Sequence, residues 1–74
     1  EQPSVVVHLH PSANTALLDS YLSSDVMLEG RLLDISTASS RSTLNEIFKV
    51  LAENDMIESI DVKENHLKEV FMQG

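Results

Sequence analysis

The clearest pattern in the chain is an apolar stripe that recurs at the spacing of one helix face. Its members are Leu44, Ile47, Phe48 and Leu51. Because residues at i, i+3, i+4 and i+7 share one side of an α-helix, this segment is predicted to be an amphipathic helix. Thr43, with Glu46 three residues later, predicts the start of the helix as a capping box. Asn54 tolerates the left-handed conformation that closes many helices, so it predicts the end.

Alternating or short apolar runs elsewhere predict four strands. The first covers residues 5–10 and ends at Pro11, which has no N–H to donate to a neighbouring strand. Two further runs, Val26–Leu28 and Leu32–Ile35, flank Gly30, whose tolerance of positive φ suits a hairpin. The fourth strand turns Ile60 and Val62 to one side and the following residues to the other: Ser59, Asp61 and Lys63.

A second helix is expected from Ala13 to Ser23, between the first two strands, because apolar residues return every fourth position. These residues are Leu17, Leu18, Tyr21 and Leu22. Strand, helix, strand then occurs twice, which predicts an α+β domain of the ferredoxin-like βαββαβ type, with a four-stranded antiparallel sheet and two helices on one face. The other face is expected to be open and to carry Val6, His8, His10, Met27, Leu32, Asp34, Ser59, Asp61 and Lys63.

Composition narrows the classes of function. A chain of 74 residues forms one small domain, in which a deep active-site cleft is not expected. Twelve acidic against five basic residues give a net charge of −7, which disfavours binding to nucleic acid or to anionic lipid. Gly30 is the only internal glycine, so the sequence contains no phosphate-binding Walker A motif. No apolar run reaches the ~20 residues that a membrane-spanning helix needs. We therefore expect no catalytic constellation, no nucleic-acid partner and no direct membrane insertion.

Two histidines on the first strand are the candidate metal ligands. His8 and His10 are two residues apart, so both side chains are expected on the same face of the strand. A divalent ion would need further ligands, for which the candidates are Asp34, Asp61 and His66. We favour exposed histidines on a solvated sheet face, with a metal site as the alternative. The serines cluster in caps and loops, where their hydroxyls serve the backbone, so no nucleophile–base pair is predicted.

The C-terminal sequence returns to helical spacing and predicts a short C-terminal helix that folds back over the last strand. The string Leu-Lys-Glu-Val-Phe, preceded by a helix, a turn and a strand, resembles the extreme C-terminus of ABC transporter ATP-binding subunits. The resemblance is to the drug and antibiotic exporter group, whose chains often end in a small appended domain. The matching residues are Leu67, Glu69, Val70 and Phe71. Asn65 and His66 stand where the family more often has proline and serine.

This resemblance implies that residues 1–74 form one non-catalytic accessory domain of a longer chain, with a role in dimer contact or in regulation of transport. It implies a cytoplasmic location, peripheral to the membrane through the parent transporter. The partners would be the chain's own upstream nucleotide-binding domain and the dimer mate of that domain, with the membrane subunit contacted indirectly. ATP and Mg²⁺ are expected only in the upstream domain, and no cofactor is expected here. The expected interaction surface comprises Val6, His8, His10, Leu32, Val70 and Phe71.

The alternative is a stand-alone regulatory or small-ligand-binding domain, such as the amino-acid-sensing domains built on a similar plan. Those domains usually place a glycine or an acidic residue in the first strand-to-helix loop, whereas residues 10–14 contain no glycine. An RNA-binding sheet is disfavoured because it needs aromatic side chains on its central strands and basic surroundings. The corresponding residues here are Val6, His8, Leu32 and Asp34.

Overall fold

The computed structural model describes residues 3–63, which form a small α+β domain. The elements in chain order are strand β1 (Ser4–Leu9), a 3₁₀ helix (Thr15–Tyr21), strands β2 (Val26–Glu29) and β3 (Leu32–Ser36), helix α1 (Arg41–Glu53) and strand β4 (Ile57–Lys63). The expected α+β class, with a four-stranded antiparallel sheet and two helices, is confirmed. The expected C-terminal helix, with Leu67, Val70 and Phe71, lies outside the described residues.

The sheet has the strand order β2-β3-β1-β4, and every neighbouring pair is antiparallel. Strands joined through a helix are therefore not neighbours: β3 lies between β1 and β2, and β1 lies between β3 and β4. The register places Val6 opposite Asp34 on β3 and opposite Asp61 on β4. Because directly opposed residues point to the same face, one row of side chains runs across the three strands.

The hydrophobic core lies on one face of this sheet. Its buried side chains are Val7, Leu9, Leu18, Val26, Leu33, Ile35, Ile47, Leu51 and Met56. Leu18 comes from the 3₁₀ helix, and Ile47 and Leu51 come from α1, so both helices pack into the same core as the strands. No element within residues 3–63 covers the opposite face, which is called the open face below.

Helix α1 begins earlier than the capping-box pattern predicts. The N-cap is Ser40, whose side chain accepts a hydrogen bond from the Thr43 backbone N–H at 3.2 Å. The prediction that Thr43 starts the helix was wrong because a serine three residues upstream offers the same hydroxyl to an otherwise unpaired N–H. Asn54 is the C-cap, as predicted, but it has φ −106°, and the left-handed residue is Asp55 at φ 53°. The Asn54 side-chain amide instead donates to the Val50 carbonyl at 2.9 Å.

The first helix differs from the expected α-helix over Ala13–Ser23. It is a 3₁₀ helix over Thr15–Tyr21, and the Asn14 side chain accepts from the Ala16 N–H at 3.2 Å at its start. With three residues per turn, a 3₁₀ helix aligns residues at i and i+3 rather than at i and i+4. Accordingly, Leu18 is buried and Tyr21 packs beside the core, whereas Leu17 and Leu22 are exposed.

The hairpin between β2 and β3 forms as the sequence predicts. Glu29 pairs with Leu32, which leaves a two-residue loop of Gly30 and Arg31. Gly30 has φ 60°, and a Cβ built on it would meet no atom within 4 Å. Glycine is therefore required by the positive φ, which suits a tight hairpin turn with glycine at the first loop position. Lack of space for a side chain is not the reason.

Candidate interaction surface

The open face is a grid of side chains whose rows follow from the strand register. The row nearest the hairpin is Glu29, Leu32, His8 and Ser59. The middle row is Met27, Asp34, Val6 and Asp61, and the far row contains Ser36, Ser4 and Lys63. The predicted mixture of apolar and polar side chains is therefore present on this face, with one exception, His10.

His10 lies after the end of β1 and does not belong to the grid. The prediction that the strand reaches His10 was wrong by one residue: β1 ends at Leu9, just after an irregularity in its pairing with β4 between His8 and Leu9. The His10 backbone N–H donates to the Met56 carbonyl at 2.7 Å, beyond the regular strand pairing. Its ring nitrogen Nδ1 accepts from the Ser12 N–H at 3.2 Å and lies 2.8 Å from the Ser12 hydroxyl oxygen.

The two candidate metal ligands consequently have separate partners. Nε2 of His8 lies 2.9 Å from Oδ2 of Asp61 on the neighbouring strand, whereas His10 bonds to Ser12. Asp34 lies beside Lys63, and His66 is outside the described residues. Over residues 3–63, no group of three or more His, Cys, Asp or Glu side chains is arranged to hold a metal ion.

A shallow depression occupies the β2–β3 side of the open face. It has a volume of about 370 Å³. The lining residues are Val6, Met27, Glu29, Leu32, Asp34 and Lys63. We call Val6, Met27 and Leu32 the apolar patch; Met27 is 58% exposed and Leu32 is 41% exposed. Leu32 and Met27 gain less from folding than the fully buried Leu33 and Met56, since the benefit of an apolar side chain comes from removing its surface from water.

A second depression, of about 390 Å³, adjoins the first on the side away from the hairpin. It is lined by Ser4, Ser24, Asp25, Met27, Asp34, Ser36 and Lys63. Met27, Asp34 and Lys63 border both depressions, so the two form one continuous shallow groove. The apolar patch borders the first depression, and small polar residues, Ser4, Ser24 and Ser36, border the second.

The charges on the open face are predominantly negative. Nζ of Lys63 lies 3.9 Å from Oδ2 of Asp34, and both side chains are substantially exposed. Ion pairs of this kind contribute roughly 0–1 kcal/mol to stability, so they shape the local charge more than they hold the fold. Within the part of the chain that the structure describes, the carboxylates of Asp25 and Glu29 take part in no ion pair. The groove is therefore bordered by more acidic than basic groups.

Three of the six residues expected to form an interaction surface lie together on the open face. Val6, His8 and Leu32 occupy adjacent positions in the grid, with Leu32 directly opposite His8. His10 is displaced to the loop after β1, while Val70 and Phe71 lie outside the described residues. Glu29 borders the depression and was not among the expected residues. Counting back across the Gly30–Arg31 turn would have found it, because a two-residue hairpin loop pairs Glu29 with Leu32.

Residues 3–63 include no helix that is both long and apolar enough to pass through a membrane. Comparison of the chain with protein-family models, with curated proteins and with solved structures found no match.

Proposed function

We propose that this chain is a non-catalytic accessory domain of an ABC transporter ATP-binding subunit of the drug and antibiotic exporter type. The observation that carries the proposal is the order of elements from β1 to β4. In the sequence, this order is followed directly by the motif with which the chain resembles that family: Leu67, Glu69, Val70 and Phe71. The role would be in dimer contact or in regulation of transport.

The finer description of the fold belongs to the same proposal. In the ferredoxin-like plan, two strand–helix–strand units interlock so that each pair of helix-linked strands encloses one strand of the other unit. The observed order β2-β3-β1-β4 supports this plan, since β3 separates β1 from β2 and β1 separates β3 from β4. One scaffold hosts many functions, so the plan by itself does not select the ABC role.

The open face supports a role in protein contact. It presents the apolar patch to solvent in a shallow groove, and the carboxylates around it are at the surface instead of converging in a deep cleft. Under the proposal, the partners are the upstream nucleotide-binding domain and its dimer mate, on the cytoplasmic side of the membrane. ATP and Mg²⁺ would bind in that upstream domain and not in this one.

A small-ligand-binding domain of the amino-acid-sensing type is the second candidate. The observation in its favour is the depression of about 370 Å³, which falls in the range of small-molecule pockets, roughly 300–1,000 Å³. Asp34 and Lys63 both border it, and a carboxylate beside an ammonium group could meet the two charged ends of a free amino acid. The groove is shallow and open to solvent, which favours protein contact over binding of a small ligand.

The proposal is tested by the gene that encodes the chain, together with the protein it produces. We expect a Walker A loop and an ATPase domain upstream of residue 1, and we expect the full-length protein to hydrolyse ATP. The 74-residue chain alone should give no heat with MgATP in calorimetry, since it contains no glycine-rich phosphate loop. An unrelated upstream domain, or MgATP binding by the short chain, would contradict the proposal.

The same calorimeter separates the two candidates. Each of the common amino acids, titrated separately into the 74-residue chain, should produce no binding heat under the ABC proposal. Saturable heat with one amino acid, abolished by Asp34→Asn and by Lys63→Gln, would favour the ligand-binding alternative.

A further inference from the structure

We propose that the groove on the open face binds a basic amphipathic protein segment, whose apolar side chain enters the depression while flanking lysines or arginines meet the surrounding carboxylates. The inference depends on the proposed function only for placing that segment on the ATP-binding subunit. The chemistry of recognition follows from the groove itself.

The apolar contact would be made by the patch of Val6, Met27 and Leu32. Met27 lies opposite Asp34, and Leu32 lies opposite Glu29, so Met27 and Leu32 are diagonal neighbours across β2 and β3. Diagonal neighbours in an antiparallel pair are about 7–8 Å apart, within reach of one inserted side chain. Val6 on β1 closes the third side of the same depression. Three apolar side chains thus surround one site, in which Met27 and Leu32 are exposed and Val6 is partly buried.

The charge around this site selects the partner. Asp25, Glu29, Asp34 and Asp61 stand on or beside the open face, together with one lysine, Lys63, and with His8, whose Nε2 lies 2.9 Å from Oδ2 of Asp61. That lysine is 3.9 Å from Asp34, so these two charges partly offset each other, and within residues 3–63 the carboxylates of Asp25 and Glu29 take part in no ion pair. The whole chain carries −7, so the long-range field has the same sign as the groove and attracts a basic partner.

The same charges disfavour other occupants. A second copy of the chain stacked on the open face would bring the carboxylates of both copies, Glu29, Asp34 and Asp61, close to one another. Nucleic acid and anionic lipid are repelled for the same reason. A protein segment fits better than a small molecule because the two depressions share Met27, Asp34 and Lys63 and extend along the sheet as one groove.

The test uses the 74-residue chain and three synthetic helical peptides of about 14 residues, close to four turns. The probe peptide has leucines on one face, flanked by lysines. The second peptide has glutamate in place of each lysine, and the third has serine in place of each leucine. Binding is followed by amide NMR shifts of the chain at fixed, low salt.

We expect the probe peptide to shift the amides of Val6, Met27 and Leu32 and to bind at least about tenfold more tightly than either comparison peptide, a difference of about 1.4 kcal/mol. Glu29→Lys should weaken binding by about tenfold. The matched control is Glu53→Lys, which makes the same change in net charge at an exposed position near the end of α1, and should weaken binding by less than about twofold.

The inference would be overturned by no binding of the probe peptide, by shifts centred on α1, or by equal weakening from the two charge reversals. Equal binding of the serine peptide would also overturn it, because charge alone would then explain the contact. Failure here is distinct from failure of the proposed function. Absence of an ATPase domain from the parent protein would rule out the ABC assignment without affecting the peptide result. Absence of peptide binding would overturn the inference without affecting the ABC assignment.

Discussion

Replacing Leu33 by alanine is expected to lower the free energy of unfolding by about 2–5 kcal/mol. Leu33 is fully buried in β3, where it pairs with Leu28 on one side and Val7 on the other. Truncation removes buried methyl groups and leaves a cavity that the surrounding sheet and helices fill only in part. The free energy of unfolding of a domain of ordinary size is only about 5–15 kcal/mol, and that of a small domain is lower. The measurement is urea unfolding followed by circular dichroism.

The matched control is the adjacent leucine. Leu32→Ala makes the same chemical change one residue earlier, on the opposite face of the same strand, where the side chain is 41% exposed. Its cost should be less than about 1 kcal/mol, as is usual for surface positions. Equal losses from the two substitutions would contradict the assignment of one buried and one open face, because Leu32 would then be covered in solution.

Met56→Ala should also cost about 2–5 kcal/mol, although the residue lies outside every helix and strand. Met56 follows the left-handed residue Asp55, and it is fully buried in the core. Its backbone N–H donates to the Leu51 carbonyl at 2.9 Å, and its carbonyl accepts from the His10 N–H at 2.7 Å. These two bonds hold the turn so that the side chain points inward, between the end of α1 and the start of β4.

Met27 provides the control for this second substitution. It is 58% exposed on the open face, so Met27→Ala should change the free energy of unfolding by about 0.5 kcal/mol or less. Both variants are measured in urea at the same protein concentration. A near-neutral Met56→Ala would show that the turn does not fix the side chain in the core, and a large loss at Met27 would show that the open face is packed.

The strands and helix α1 are predictable from sequence because local patterns dominate there. Alternation of apolar and polar residues defines β1 and β4, and Gly30 between two apolar runs specifies the hairpin that the structure contains. The helical stripe that includes Ile47 and Leu51 identifies the face of α1 that enters the core.

The predictions from sequence are wrong where the same residues are compatible with two local structures. The first helix has apolar residues compatible with both 3.6 and 3 residues per turn, and tertiary packing selects the 3₁₀ form in which Leu18 is buried. Ser40 and Thr43 offer equivalent hydroxyls for the N-cap, and the upstream one is used. Met56 escapes prediction because a turn has no periodicity from which inward orientation can be deduced.

Part of the candidate interaction surface can be predicted from the alternation of residues along each strand. Val6, His8 and Leu32 follow from alternation and from the order of strands, and they lie together. His10 does not lie with them, because β1 ends at Leu9. The irregular pairing with β4 near that end cannot be deduced from the alternation within β1. Glu29 depends on the register across the hairpin, which periodicity within one strand does not supply.

One face of the sheet carries the hydrophobic core, whereas the other face is open to solvent. The most direct measurement is the broadening of methyl NMR signals of the 74-residue chain by a neutral nitroxide dissolved in the buffer. We predict strong broadening for the methyl groups of Val6, Met27 and Leu32, and little for Val7 and Leu33. Protection of Val6 and Leu32 to the same degree as Leu33 would contradict the claim.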